Sequence, residues 1–419
     1  MATNQCASSL LPSFCPSALL FFGLSFFLLP STAATADAFV GVAANGSLLL
    51  RPAPGHSVLV NGVDFGELQA RVTRVLASCN ATQLRACQMV AEPLGTALPG
   101  AGERWNHGVA APNGKIYGIP RSLLRVLVID PMRDSVDTIS IDGVESVTPV
   151  TRAWVGGVLF NDVIYGMPFN AHQILIIFTV NDTAKLGPST ASVAGNAGLV
   201  SKWAGGALAR NNKIYGIPYN ANKILVFDPT TGVVTSIASP LTGREVWSGG
   251  VLAPTGYIYG IPKAAKSILK IDPAAGTATA VGGADDLGST WSGGVLGIDG
   301  QVYGLPHSST NLLMFDPATS AIDVSSITCD GGRFAYPWNG GAVARSGLLI
   351  LAPAHGNAVA IIDPVRRTCD TTSLTLTAWT STTGQGRFMG AVLGANGQVY
   401  LIPNDSDYVY KVRRNCQAL

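Results

Sequence analysis

The 419-residue chain is short of charge: only 12 % of its residues are Asp, Glu, Lys or Arg, against about 25 % in an ordinary soluble domain. A solvated, disordered chain is excluded by that alone. It has no block of Lys and Arg either, and 27 basic against 25 acidic residues leave a formal net charge of +2. The electrostatic footprint of a nucleic-acid binder is missing, so no DNA or RNA partner is expected. No G-x-S-x-G, H-E-x-x-H, C-x-x-C or P-loop pattern occurs, which leaves serine-hydrolase, zincin, dithiol-redox and nucleotide chemistries without support. What the chain has in abundance is glycine, 48 residues beside 25 prolines. Many tight turns are implied.

Residues Ala18 to Leu29 form a 12-residue apolar run followed by the small residues of STAATA. That length suits the h-region of a signal peptide and falls short of the roughly 20 residues of a membrane-spanning helix. Ala34 and Ala36 fit a cleavage pattern, so residues 1–36 read as a signal peptide, although its leading segment lacks Lys and Arg. A retained anchor is the alternative. Secretion makes four sequons, at Asn45, Asn80, Asn181 and Asn404, candidate glycosylation sites. It also leaves five cysteines in the mature chain, an odd number.

Aligned on itself, the chain resolves into seven copies of one unit, clearest from Trp203 and from Trp247. The leading aromatic recurs at Trp105, Trp154, Trp203, Trp247, Trp291, Trp338 and Phe388, at intervals of 44 to 50 residues. Within each unit, four short apolar runs are separated by N-G, T-G, D-G and D-P pairs, the turn chemistry of antiparallel hairpins. Four strands in such a period make one propeller blade. The last unit, from Phe388 to about Val412, holds only three strands, and counting back from Trp105 places the missing one at Cys87-Gln-Met-Val-Ala-Glu. The fold class read here is therefore all-β, a seven-bladed propeller spanning residues 87–416. Residues 37–86 form an N-terminal extension with a degenerate repeat and a short helix, and that repeat makes eight blades the alternative. Cys87 with Cys416 is the favoured cysteine pair, Cys79 with Cys87 its competitor, and Cys329 with Cys369 a further candidate.

The order strand, N-G turn, I-Y strand, I-L-V-F-D-P strand, T-T-G turn, V-T-S-I strand resembles the propeller repeats of the NHL, streptogramin-lyase and gluconolactonase-like group. The resemblance covers about three quarters of the chain, Trp105 to Val412; kelch repeats share the tryptophan and double glycine in a different order. Gluconolactonase-like relatives imply a channel metal held by carboxylates and amides at inner-strand ends. The inner strands here, G-G-V-L, G-G-A-L and G-A-V-L, supply no carboxylate. Streptogramin lyases imply a histidine and a glutamate beside a metal, and His107, standing where the W-x-G-G pattern has glycine, is the one inner-strand histidine to match.

Function in a repeated scaffold is expected where its copies differ. One loop set, before the first strand, carries Arg104, Arg152, Lys202, Arg244 and Arg387, with Glu103 and Glu245 among them; the other, after the second strand, carries Arg121, His172, Lys223, Lys263, His307 and His355. With His107, this basic rim is the candidate ligand-binding face for an anionic ligand, a glycan or an acidic extracellular protein. The repeated aromatics and the tyrosines of the I-Y strands read as inter-blade packing, and the Asp-Pro carboxylates as turn residues. The expectation is a secreted, non-catalytic binding module without metal or cofactor, more an interaction protein than an enzyme. The alternative is a propeller enzyme of lactonase or lyase type with its site near His107, and a surface-coat role is a third reading.

Overall fold

The computed structural model describes residues 39–42, 48–51, 59–60, 63–64, 87–100, 102–146, 151–195, 200–282, 290–331, 336–376 and 386–416. The chain divides into one compact unit of residues 1–87 with 417–419, and a second of residues 88–416. In the first, Phe39–Val42 pairs with Leu48–Arg51 and Leu59–Val60 with Val63–Asp64, both antiparallel. The signal peptide, the short helix, Cys79 and the sequons at Asn45 and Asn80 lie outside the described residues.

The larger unit is built from meanders of four antiparallel strands. Trp203–Leu208, Ile214–Pro218, Lys223–Phe227 and Val234–Ala238 form one such sheet, and Trp247–Leu252 through Thr277–Val281 repeat it. The first two meanders are joined along their outer strands, Ser135–Asp142 running parallel to Thr183–Ser189. The sheet that begins at Phe388–Leu393 takes Val409–Cys416 as its third strand and Cys87–Leu94 as its fourth. That pairing carries the third strand four residues past Val412, where sequence reasoning stops it. The side chains of Cys87 and Cys416 lie outside the described residues. The first strands of successive sheets pack one against the next, and Phe388–Leu393 packs against Trp105–Ala110 in turn. The architecture is all-β and of propeller type.

Each second strand, such as Ile214–Pro218, is buried along its length, with Val163 alone only partly covered. Its two faces meet neighbouring sheets, so it reads as a continuous apolar run, and this is where the low charge of the composition goes. The leading tryptophans are among the largest fully buried side chains, and each indole Nε1 donates to a backbone carbonyl of its own sheet's third-strand region, as in Trp247 to Ser267 at 2.9 Å. The tyrosine hydroxyls lock sheets at the outside: Asn113 Nδ2 donates to Tyr117 Oη at 2.8 Å and to the Thr179 carbonyl of the next sheet at 2.7 Å. The Asp-Pro carboxylates are turn residues; Asp228 Oδ1 accepts from the backbone amides of Thr230 and Thr231. A disulfide joins Cys329 to Cys369, with Cα atoms 5.3 Å apart.

One glycosylation site is corrected here. Asn404 is fully buried and its amide nitrogen donates to the Gly386 carbonyl at 2.7 Å, so the folded chain has no room for a glycan. Asn181 is exposed. No described helix is long and apolar enough to cross a membrane.

Candidate functional site at the channel mouth

The site grows out of one backbone irregularity repeated around the ring. In each sheet the leading aromatic pairs with the proline that ends the second strand, and the register then slips by one, as between Trp105↔Pro120 and Gly108↔Gly118. Such a bulge puts its second residue at positive φ. Gly156, Gly205, Gly249, Gly293, Gly340 and Gly390 occupy that position with φ between 71° and 111°. A Cβ on Gly249 would lie 2.8 Å from the Gly293 Cα, and one on Gly340 would lie 2.9 Å from the Gly390 Cα. The described bulges close a ring of nearly touching backbones, where glycine is demanded by space as well as by φ.

His107 takes the seventh such position, at φ 61°. Its Nε2 reaches across the channel to within 3.0 Å of where a Gly340 Cβ would stand and 3.6 Å of the Gly293 one. The imidazole thus separates a cavity of about 130 Å³ inside the glycine rings from a mouth of about 490 Å³ above. Its Nδ1 is held by the Asn106 side-chain carbonyl, which keeps the ring proton on Nδ1 and leaves the Nε2 lone pair free. Burial, and then the Arg121 charge, lower its pKa from 6.5 to about 4, so the ring is neutral at physiological pH.

Which rim residues reach the mouth is decided by a single register. The residue immediately before the aromatic points into the sheet packing in most repeats, Thr290 being an exception that lines the mouth. Arg104, 1 % exposed, donates to the carbonyls of Gly100 at 2.9 Å and Ser406 at 2.6 Å. Lys202, 2 % exposed, donates to the carbonyls of Phe169, Asn170 and Ala171 at 2.9–3.2 Å, and its burial brings its pKa down to about 8. Arg387 is also buried, its guanidinium 5.7 Å from the centre of the Phe388 ring. These three cations are not part of the rim that faces the mouth: Arg104 and Lys202 staple loops from within, and Arg387 is sealed into the packing. His172 and Arg244 are exposed and line neither cavity.

The residue two before the aromatic does face the mouth region, as does the residue after the second-strand proline. The first position supplies Arg152, Glu245 and Tyr336, with Glu103 bonded to the lining residues Arg121 and Arg152; the second supplies Arg121, Phe169, Tyr219, Lys263 and His307. Of the sequence-derived candidates, the mouth brings together His107, Arg121, Arg152, Lys263, His307 and His355. Tyr219 and Tyr336 stand at these same two repeat positions, so the signal for them lies in the repeat register.

Charge in the mouth is organised in pairs. Glu103 accepts from Arg121 Nη2 at 2.9 Å and from Arg152 Nη2 at 2.7 Å. Burial lowers the Arg121 pKa to about 10, while the Glu103 hydrogen bond raises that of Arg152. Lys263 stands 5.8 Å from the centre of the Tyr219 ring, and burial lowers its pKa against the pull of Glu245. Burial and the Glu245 carboxylate push the Tyr219 phenol up, so it stays protonated. Tyr336 lies 4.5 Å from the His307 ring and 6.1 Å from that of His355. Burial, Lys263 and His355 lower the His307 pKa to about 3.

These groups offer a neutral base on the floor, an ammonium of lowered pKa on the wall and two guanidiniums. They do not fit the divalent metal that the resemblance implies. Among the described residues no three of His, Cys, Asp and Glu come together. Glu103 is committed to two guanidiniums, and Glu245 shares its surroundings with Lys263. A divalent cation would face Arg121, Arg152 and Lys263 with too little anionic charge to hold it.

The sequence matches no family model and no curated protein. Solved structures do match. A streptogramin B lyase superposes with a TM-score of 0.64 at 13 % identity, over 78 % of this chain and 98 % of that one. Virginiamycin B lyase from Staphylococcus aureus superposes with a TM-score of 0.61 at 12 % identity, over 78 % and 99 % of the two chains. A catalytically inactive histidine-to-alanine variant of that enzyme, with quinupristin, gives 0.60 at 13 % identity, over 78 % and 99 %. The likeness to the streptogramin-lyase propellers is thus one of fold.

Two expectations are corrected by this finding. The expectation of a non-catalytic binding module, more an interaction protein than an enzyme, is not upheld: the solved propellers that share this fold are lyases. Inner-strand carboxylates are not the only source of acid and base groups in this fold. The bulge and the two rim positions supply a histidine, a lysine and a glutamate to the same mouth.

Proposed function

We propose that this protein is a propeller enzyme of lyase type, with its site at the channel mouth and His107 as the base. The observation that carries the reading is His107 itself, a strained non-glycine residue whose free Nε2 lies on the floor of a cavity walled by ionisable groups. In the reaction His107 Nε2 takes a proton from a carbon atom of the substrate. The electron pair of that C–H bond becomes the second bond of a C=C, and the bond from the adjacent carbon to its oxygen substituent breaks with its pair. Lys263, its pKa lowered by burial, gives the leaving oxygen a proton. Solvent then takes the proton from His107 and restores that of Lys263. No water is consumed and no oxidant is needed.

The test is a mass balance on quinupristin and on alkoxy-substituted acids. Elimination gives products whose masses sum to that of the substrate, and His107→Gly is expected to abolish their formation. Products heavier by one water would assign the lactonase type instead, and turnover unaffected by His107→Gly would remove His107 from the chemistry.

The finer architecture belongs to the same proposal. Seven blades over residues 87–416, with residues 37–86 as an extension, are supported by the sheet order and by the packing of Phe388–Leu393 against Trp105–Ala110. Secretion after removal of residues 1–36 is supported by the apolar leader and by the disulfide. Glycosylation is proposed at Asn181, on its exposure, and on sequence grounds at Asn45 and Asn80. A small anionic ligand is favoured over a protein partner, because the cations that reach the mouth converge on a cavity instead of spreading over a face.

A further inference from the structure

Resting on the lyase reading, we infer that Arg121 and Arg152 form a carboxylate clamp, and that the substrate carries a carboxylate on the carbon that loses its proton. The donors of the pair outnumber their acceptors. Each guanidinium has five N–H groups, yet the one carboxylate they bond is Glu103, which serves both. Arg121 is 7 % exposed, and its Nη1 ends on a thioether, Met389 Sδ at 2.6 Å. Its Nε has no partner at all. A thioether is a weak acceptor, and a cation so deeply buried is costly unless oxygen satisfies it. Two positive charges against one negative leave the clamp a surplus of one, on the wall of the cavity that has His107 at its floor.

Carboxylate is the anion that fits both geometry and chemistry. The planar guanidinium fork matches two carboxylate oxygens, and Arg152 already makes that match with Glu103 through Nε and Nη2. When His107 removes a proton from the adjacent carbon, negative charge spreads onto those oxygens, and guanidiniums placed there stabilise it as it develops. Phosphate and sulfate monoesters would bind the clamp without acidifying a neighbouring C–H bond.

The experiment compares acids with their own methyl esters, which differ in charge and little in shape: acetate, 3-hydroxybutyrate and oligogalacturonate. Each is assayed for its effect on the thermal midpoint at constant ionic strength, and the oligosaccharide pair also for elimination products by mass. The acids are expected to raise the midpoint of the wild-type protein and the esters to leave it unchanged. Arg152→Gln, at a half-exposed side chain, is expected to weaken acid binding about tenfold, with Arg152→Lys between. Arg121→Gln should act in the same direction and serves as the buried counterpart. Esters that stabilise as well as their acids, or acids bound equally well by Arg152→Gln, would overturn the clamp. Turnover of an ester without binding of its acid would overturn the clamp and leave the lyase reading intact. Acids held through Arg152 with no elimination from any of them would support anion binding and overturn the lyase reading on which the substrate assignment rests.

Discussion

His107 pays for its place. An L-residue in the left-handed region costs about 1–2 kcal/mol, and the equivalent position in the other repeats is glycine. His107→Gly is therefore expected to raise stability at neutral pH by about 1 kcal/mol in urea titration while losing turnover, a combination that a merely structural histidine would not give. Its pKa adds a pH signature. From pH 6.5 down to about 4 the unfolded chain binds a proton here that the folded chain excludes, so stability falls as pH falls and levels off below that window. The loss is on the order of 3 kcal/mol at full displacement. His307, lowered to about 3 for the same reason, extends the trend. The His107→Gly variant should show a flatter acid limb; a limb identical to the wild type would mean that the imidazole is not held neutral by its surroundings.

At the scale of elements, stability rests on sheets pressed face to face. Trp247 is fully exposed to its neighbours and not to water, packed with Ile217, Leu269 and Ile271 of its own and the preceding sheet. Trp247→Ala is expected to cost about 3–5 kcal/mol, read as a lowered unfolding midpoint. The Cys329–Cys369 link closes a loop of 40 residues between consecutive sheets. Cys369→Ser should lower stability by about 4 kcal/mol on the loop-entropy model, and reductant should bring the wild type to the same midpoint. The strands were readable in the sequence because every repeat spells the same alternation of apolar run and turn pair, so each copy corrects the others. The rim was not, because a loop has no periodicity. Arg104 and Glu103 are neighbours in the chain, yet one is sealed into the packing while the other bridges two guanidiniums beside the mouth.

Across the whole molecule the ring of bulges does two jobs. Its glycines let backbones approach until the channel is nearly closed, and its one histidine sets a base on the axis where all the sheets converge. The propeller-type repeat, the position of the closing strand Cys87–Leu94 and the oddity of His107 in a glycine position were legible from composition and spacing. The meeting of His107, Glu245 and Lys263 at one cavity was not, because the three come from different repeats, far apart in the chain. The central claim is that this cavity eliminates across a carbon–oxygen bond with His107 as the base. The most direct measurement is the product mass balance for wild-type protein and His107→Gly on oligogalacturonate. The account predicts, with the wild type alone, products whose masses sum to that of the substrate. Products that gain water, or equal turnover by the two proteins, would contradict it.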